Sequence, residues 1–98
     1  MPVSVASTTK EYLLVPVTED GATPNPAYGV EIAILVVGAK EEPESGDWVI
    51  AAWFGSSVRI LIGPGTSFVL SNGYYDVWVR ITTPSEIPVR RAGRIRVT

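Results

Sequence analysis

Apolar residues recur at every second position through much of this chain, which is the spacing of β-strands. The clearest example covers residues 74–82, where the apolar stripe consists of Tyr75, Val77, Val79 and Ile81. No window keeps apolar residues at the helical spacing i, i+3, i+4 and i+7, and 9 glycines and 8 prolines interrupt the chain. The sequence therefore predicts an all-β protein.

Seven strands are predicted, over residues 12–17, 30–37, 48–54, 58–62, 68–70, 74–82 and 94–97. The first lies at a sheet edge, because Pro16 has no N–H to donate to a neighbouring strand. Gly63-Pro64-Gly65 predicts a turn, and residues 84–93 predict a loop. Short strands separated by turns roughly every ten residues are typical of an antiparallel sandwich. We predict one immunoglobulin-like antiparallel β-sandwich over residues 10–98, preceded by an N-terminal arm of residues 1–9; a generic sandwich or small barrel is the alternative.

Three residues have predicted structural roles inside this sandwich. Tyr75 lies two residues before Val77, which is the spacing of a tyrosine whose hydroxyl returns to upstream backbone in immunoglobulin-like domains. Val77 then occupies the core position where antibody domains carry a cysteine. Trp53, on the third predicted strand, is expected to fill the space between the sheets.

The composition removes many kinds of chemistry. The 98 residues include no Cys and no His, which excludes disulfides, thiolate and imidazole metal sites, and catalytic triads built on either residue. The acids Glu41, Glu42, Glu44 and Asp47 lack the spacing of a calcium loop, so a solvated loop is expected there. We expect no enzyme, no cofactor and no metal. The longest apolar run, residues 32–37, is far short of the ~20 residues of a membrane helix, so no membrane contact is expected either.

Charge is unevenly placed along the chain. Residues 1–58 hold eight acids and two lysines, whereas residues 59–98 hold six arginines and two acids. This asymmetry predicts electrostatic complementarity, either within the fold or between neighbouring copies. Direct nucleic-acid binding is the poorer interpretation, because the net charge is -2 and the arginines are confined to one end.

The predicted strands carry more apolar surface than one core needs. Leu35, Val37, Ile50, Phe54 and Trp78 fall on the faces opposite the core. Either a loop or the arm covers them, or one strand's faces are misassigned, or they contact another protein. The candidate partner-binding residues are Leu35, Val37, Phe54, Trp78, Arg80, Arg90, Arg91, Arg94 and Arg96, a composition typical of interfaces. The arm could also add as a strand to a neighbour's sheet edge.

Several segments resemble one family. They are Trp53, Leu61-Ile62-Gly63-Pro64-Gly65, the run Gly73-Tyr74-Tyr75-Asp76-Val77-Trp78-Val79-Arg80-Ile81-Thr82, then Pro84, Glu86 and Pro88-Val89-Arg90-Arg91-Ala92-Gly93, and, near the start, Lys10-Glu11-Tyr12 and Val15-Pro16-Val17. With these segments the chain resembles small virion proteins of tailed bacteriophages, particularly phages of actinobacteria, that have an immunoglobulin-like fold. The resemblance spans residue 10 to the end.

The resemblance implies a non-enzymatic head accessory protein, located in the virion and assembled in the host cytoplasm. Capsid decoration, with many copies bound to the major capsid protein, is the leading expectation. A head-to-tail connector or neck component is the alternative within the virion. An adhesion or ligand-binding module with the same fold is the alternative outside it. No catalytic residues carry over from the family.

Overall fold

A computed structural model of the chain describes residues 3–5, 10–17, 27–39, 41–84 and 87–98, with residues 3–5 described as backbone only. The described residues form eight strands and one short 3₁₀ helix at Ser45–Asp47. The strands are β1 (Val3–Val5), β2 (Glu11–Pro16), β3 (Gly29–Val36), β4 (Val49–Ile50), β5 (Ala52–Phe54), β6 (Ser57–Ile62), β7 (Gly73–Thr82) and β8 (Val89–Val97).

These strands form two sheets in the described part of the chain. The large sheet has the order β1-β8-β7-β3-β4, and the small sheet has the order β2-β6-β5. Neighbouring strands run antiparallel, except that β1 runs parallel to β8. The third, seventh and eighth strands are thus neighbours in one sheet, and the second, sixth and fifth are neighbours in the other, as in immunoglobulin-like sandwiches. The predicted fold class is confirmed.

The core lies between the inner faces of the two sheets. Ile32 of β3 and Val58 of β6 are fully buried, and Ile62 is 1% exposed. The predicted stripe of β7 is confirmed, because Tyr75, Val77 and Val79 are buried in the same cluster and Ile81 packs against it. The other members of the core are Leu13, Val15, Val30, Ile34, Ile60, Phe68, Ile95 and Val97.

Two of the three structural predictions concern the start of β7. The Tyr75 hydroxyl donates a hydrogen bond of 2.8 Å to the Ser71 carbonyl, four residues upstream. Val77, two residues on, is a core residue. Trp53 lies on β5, an edge strand of the small sheet, and packs half-buried against the core. Its indole Nε1 donates to the Tyr28 carbonyl at 2.9 Å.

The prediction of one strand over residues 48–54 is wrong. The segment breaks at Ala51, because β4 pairs with β3 in the large sheet whereas β5 pairs with β6 in the small sheet. Ala51 itself donates its N–H to the Val30 carbonyl at 3.0 Å, just before the chain crosses. The segment is apolar on both sides because its two halves serve different sheets.

The strand predicted over residues 68–70 is also absent. Phe68 makes an isolated bridge to Ile62, and its carbonyl accepts a hydrogen bond from the Gly63 N–H at 2.9 Å. The predicted turn between them is confirmed: Gly63 and Gly65 have φ of 115° and 79°, which side chains disfavour, and the Thr66 hydroxyl donates to the Gly63 carbonyl at 2.7 Å. Phe68 therefore reaches the core from a loop.

The last strand begins at Val89, five residues before the predicted start, so the second half of the predicted loop over residues 84–93 is strand. β7 is 10 residues long, and its backbone pairs with these residues although they lack an apolar alternation. The ladder contains one irregularity, because Gly93 pairs with Val77 and Arg91 pairs with Trp78. Ala92 is therefore the extra residue of a β-bulge.

Part of the predicted N-terminal arm belongs to the chain's own sheet. Val3–Val5 pairs with Ile95–Val97 along the outer edge of β8. The remaining residues of the predicted arm, 1–2 and 6–9, lie outside the described residues, and so does the proposed contact of the arm with a neighbour.

Candidate functional site: the outer face of the large sheet

The side chains of the large sheet that point away from the core form one continuous surface, which we call the outer face. The ladders place Trp78 between Ala33 of β3 and Arg91 of β8, and place Arg80 beside Glu31. The residues of the outer face are Glu31, Ala33, Leu35, Ile50, Tyr74, Asp76, Trp78, Arg80, Thr82, Val89, Arg91, Arg94 and Arg96, with Trp48 beside them just before β4.

Arg80 is held by contacts on two sides. Its Nη2 and Nε donate to Oε1 of Glu31 at 2.7 and 3.0 Å, across the β3–β7 ladder. Its guanidinium lies 4.6 Å from the centroid of the Trp48 ring, next to β4. The side chains of Arg80 and Glu31 are about three-quarters buried, at 28% and 26% exposure. These charge-assisted and cation–π contacts fix the orientation of a side chain that is otherwise long and mobile.

Asp76 holds two arginines of β8. Its Oδ1 accepts from Nε of Arg94 at 3.0 Å and lies 3.5 Å from Nη1 of Arg91. The Asp76 side chain is 16% exposed, whereas the arginines remain about half exposed. Arg96 lies further along β8, with its guanidinium 5.9 Å from the Tyr74 ring. The pair of Glu31 and Arg80 joins the acidic first part of the sequence to its basic last part, whereas Asp76 lies in the same part as its two arginines.

Three predicted partner-binding residues do not lie exposed on the outer face. Arg90 pairs with Val79, a core position, so it emerges on the other side of β8, where its Nη1 donates to the Val89 carbonyl at 2.9 Å. Phe54 lies on β5 of the small sheet. Val37 is half-buried in the turn after β3, with its N–H bound to the Tyr74 carbonyl at 3.1 Å.

Leu35 occupies the outer face but is only 8% exposed, so it is not available for a partner as predicted. The neighbouring Ala33 is fully buried as well. The 3₁₀ helix of the acidic loop lies against β3, which agrees with the alternative in which a loop covers part of the surplus apolar surface. The predicted residues that do lie together on the open face are Trp78, Arg80, Arg91, Arg94 and Arg96.

Two residues that contact Arg80, Trp48 and Glu31, were not among the residues predicted for a contact through a sheet face. Both are recognisable only once the strand register is known, because each meets Arg80 from a strand distant in sequence. A third residue, Ile50, was noted as surplus apolar surface. It is the most exposed large hydrophobic side chain of the described residues, at 83%.

A smaller aromatic surface lies on the opposite side of the sandwich. The Arg59 guanidinium lies between the rings of Tyr12 and Phe54, at 4.4 and 4.8 Å from their centroids. Tyr12, Leu14 and Phe54 are each about half exposed. This surface belongs to the small sheet and is not continuous with the outer face.

Among the described residues, no group of three or more Asp, Glu, His or Cys side chains has the proximity to hold a metal ion. In the acidic loop, Asp47 accepts the Glu44 N–H at 2.9 Å and so caps the 3₁₀ helix. No helix within the described ranges has the length and apolar character to cross a lipid bilayer.

The fold and the outer face define a β-sandwich that carries arginine and tryptophan side chains on one sheet face. Comparison with protein-family models, with curated proteins and with solved structures finds no match to this chain.

Proposed function

We propose that this chain is a non-enzymatic structural protein of a tailed-phage virion, and that it decorates the capsid by binding the major capsid protein through its outer face. The observation that carries the proposal is the ordered array of Trp48, Trp78, Arg80, Arg91 and Arg94 on one sheet. The resemblance of the sequence to small virion proteins supplies the class of assembly.

The chemistry of this array suits a protein interface. Tryptophan and arginine are the residues most enriched among those that dominate binding energy. Because Arg80 and Arg94 are already hydrogen-bonded to acids of the same sheet, they lose little side-chain entropy when a partner docks. The array is thus prepared for binding before the partner arrives.

The charge of the outer face also indicates the charge of the partner's surface. The face carries four arginines (Arg80, Arg91, Arg94 and Arg96) and two acids (Glu31 and Asp76), which leaves an excess of two positive charges. A complementary surface is therefore net negative at its centre, with an apolar area to receive Trp78 and Ile50. Capsid lattices repeat such a surface many times, so that a modest affinity per copy is sufficient for occupancy of the shell.

Mass spectrometry of purified particles tests the proposal by counting copies of this chain against the major capsid protein. Hundreds of copies support shell decoration, because shell sites repeat with the capsid symmetry, whereas about a dozen copies place the protein at the neck instead. Absence from the particle overturns the virion proposal and favours a binding module that acts outside it.

A further inference from the structure

A groove runs along one side of the sandwich, between the edge of the small sheet and the last strand of the large sheet. It contains a cavity of about 290 Å³. On one side it is lined by Leu13, Val15 and Pro16 of β2, and on the other by Ala92 and Gly93 of β8, with Val77 at its base. The groove lies at the edge of the large sheet, apart from the centre of the outer face.

Gly93 opens this groove toward the core. It pairs with Val77, so a side chain at position 93 would point inward, between the sheets. A Cβ built on Gly93 meets no atom within 4 Å. The inward positions of β8 that follow Gly93 are filled by Ile95 and Val97, and Arg90 precedes it on the same side of the strand. The core therefore has room for one more side chain at this position, and the chain does not supply it.

The backbone beside this opening is suited to receive a strand. In the described part of the chain, β1 covers β8 along Ile95–Val97, and residues 89–94 have β7 on one side with no strand on the other. A free strand edge is a template for an added strand. On the facing edge, Pro16 lacks an N–H, so β8 is the better template of the two.

Charge selects among the strands that could be added. Residues 89–94 of β8 include Arg90, Arg91 and Arg94, and the latter two share one carboxylate, that of Asp76. The same strand of a second copy would bring arginines against arginines, which disfavours pairing of β8 with itself. A strand that alternates carboxylate and apolar side chains places its carboxylates on the side of Arg91 and Arg94. Its apolar side chains then lie on the side of Gly93, which Arg90 shares.

We propose that the groove binds an extended strand of another protein, which pairs with β8 along residues 89–94, inserts an apolar side chain beside Gly93 and places carboxylates near the arginines. This goes beyond capsid docking through the outer face, and it does not depend on it. The edge of the sheet would then be a second interaction surface, which shares Arg91 and Arg94 with the outer face.

The proposal is testable with the isolated protein and two synthetic probes. One is a peptide of four Glu-Val repeats with acetylated and amidated ends, and the other is the corresponding Lys-Val peptide. Titration of ¹⁵N-labelled protein is followed by amide chemical shifts. We expect saturable shifts of the amides of residues 89–95 and 13–15 with the Glu-Val peptide, and these shifts should weaken at high salt. The Lys-Val peptide should cause none.

Gly93→Val fills the opening with the protein's own side chain. It should lower the affinity for the Glu-Val peptide by about tenfold or more, which is the loss expected when one apolar side chain of the peptide is excluded. Valine is favoured in strands and meets open space here, so this variant should fold. Gly46→Val is the matched control. A Cβ at Gly46 also meets open space, but this position is in the acidic loop and does not line the groove. It should bind the peptide as the unchanged protein does.

Three results would overturn the proposal. The first is that the two peptides bind with equal affinity, or that neither peptide binds. The second is unchanged affinity in Gly93→Val. The third is concentration-dependent self-association of the unliganded protein that Gly93→Val abolishes, because a second copy would then be the occupant. None of these results bears on the copy number in particles, so the two proposals fail separately.

Discussion

Arg91 lies opposite Trp78 in the ladder of β7 and β8, although strict alternation along the strand from Arg94 would turn it toward the core. The bulge at Ala92 adds one residue and so restores Arg91 to the side of Arg94. It also sends Arg90 to the opposite side of the strand. The composition of the outer face therefore depends on a single extra residue.

This arrangement separates two adjacent arginines as probes of the proposed capsid contact. Arg91→Ala should weaken binding to particles that lack the protein by roughly tenfold, because interface arginines often contribute more than 1 kcal/mol. Arg90→Ala is the matched control and should bind normally, since its side chain leaves the face. The measurement is the dissociation constant for such particles. An equal effect of both substitutions would show that the contact lies at the strand edge instead.

Trp78 is the central aromatic residue of the outer face. Trp78→Ala should weaken particle binding by at least about tenfold while circular dichroism shows a folded domain. Phe54→Ala removes an aromatic side chain from the opposite side of the sandwich, next to Arg59, and serves as the control. If Phe54→Ala is the more damaging change, the small sheet is the docking side.

Deletion of Ala92 should be tolerated. Without it, Gly93 and Arg91 become adjacent and still pair with Val77 and Trp78, so the ladder turns regular and no side chain changes face. We expect the free energy of unfolding to change by less than about 1 kcal/mol in urea denaturation.

The control is deletion of Leu61 in β6, where the pairing with β2 is regular. That deletion moves Ile60 or Ile62 off the core face and should cost more than about 3 kcal/mol. Similar losses for the two deletions would contradict the assignment of the bulge.

The Tyr75 hydroxyl bond should contribute measurably to stability. Tyr75→Phe removes the hydrogen bond to Ser71 and should lower the free energy of unfolding by about 1 kcal/mol. For a domain of this size, that corresponds to a fall in Tm of roughly 4–8 °C. Tyr74→Phe changes a neighbouring tyrosine whose ring is half exposed on the outer face, and it should leave Tm nearly unchanged. Calorimetry of the two variants distinguishes them.

The sequence predicts the strands whose side chains alternate, because alternation is a local signal of one buried face. β2, β3, β6 and β7 were found on this basis, and Tyr75 with its hydrogen bond as well. β8 was found only in part, because residues 89–93 show no alternation and become strand through pairing with β7. The crossing at Ala51 was missed for a related reason, since an apolar segment does not reveal which sheet each half joins.

The candidate site likewise contains residues that the sequence predicts and residues that it does not. Alternation along β7 places Trp78 and Arg80 on the face opposite the core, and this alternation can be seen in the local sequence. Arg90 was placed with Arg91 because a bulge has no signature in this sequence. The contacts of Arg80 with Glu31 and Trp48 depend on the register of three strands, which distant pairing determines. Leu35 is buried on this face, which the alternation of its own strand does not predict.

The parallel pairing of β1 with β8 has a mechanical consequence. Val3 lies opposite Ile95 and Val5 opposite Val97, so a pull between Val3 and Val97 acts along the two strands in opposite directions. Hydrogen bonds between parallel strands are evenly spaced along the pair. Under such tension they bear the load together, and the strands cannot separate one bond at a time. The first and last strands thus form a clasp that resists stretching of the domain.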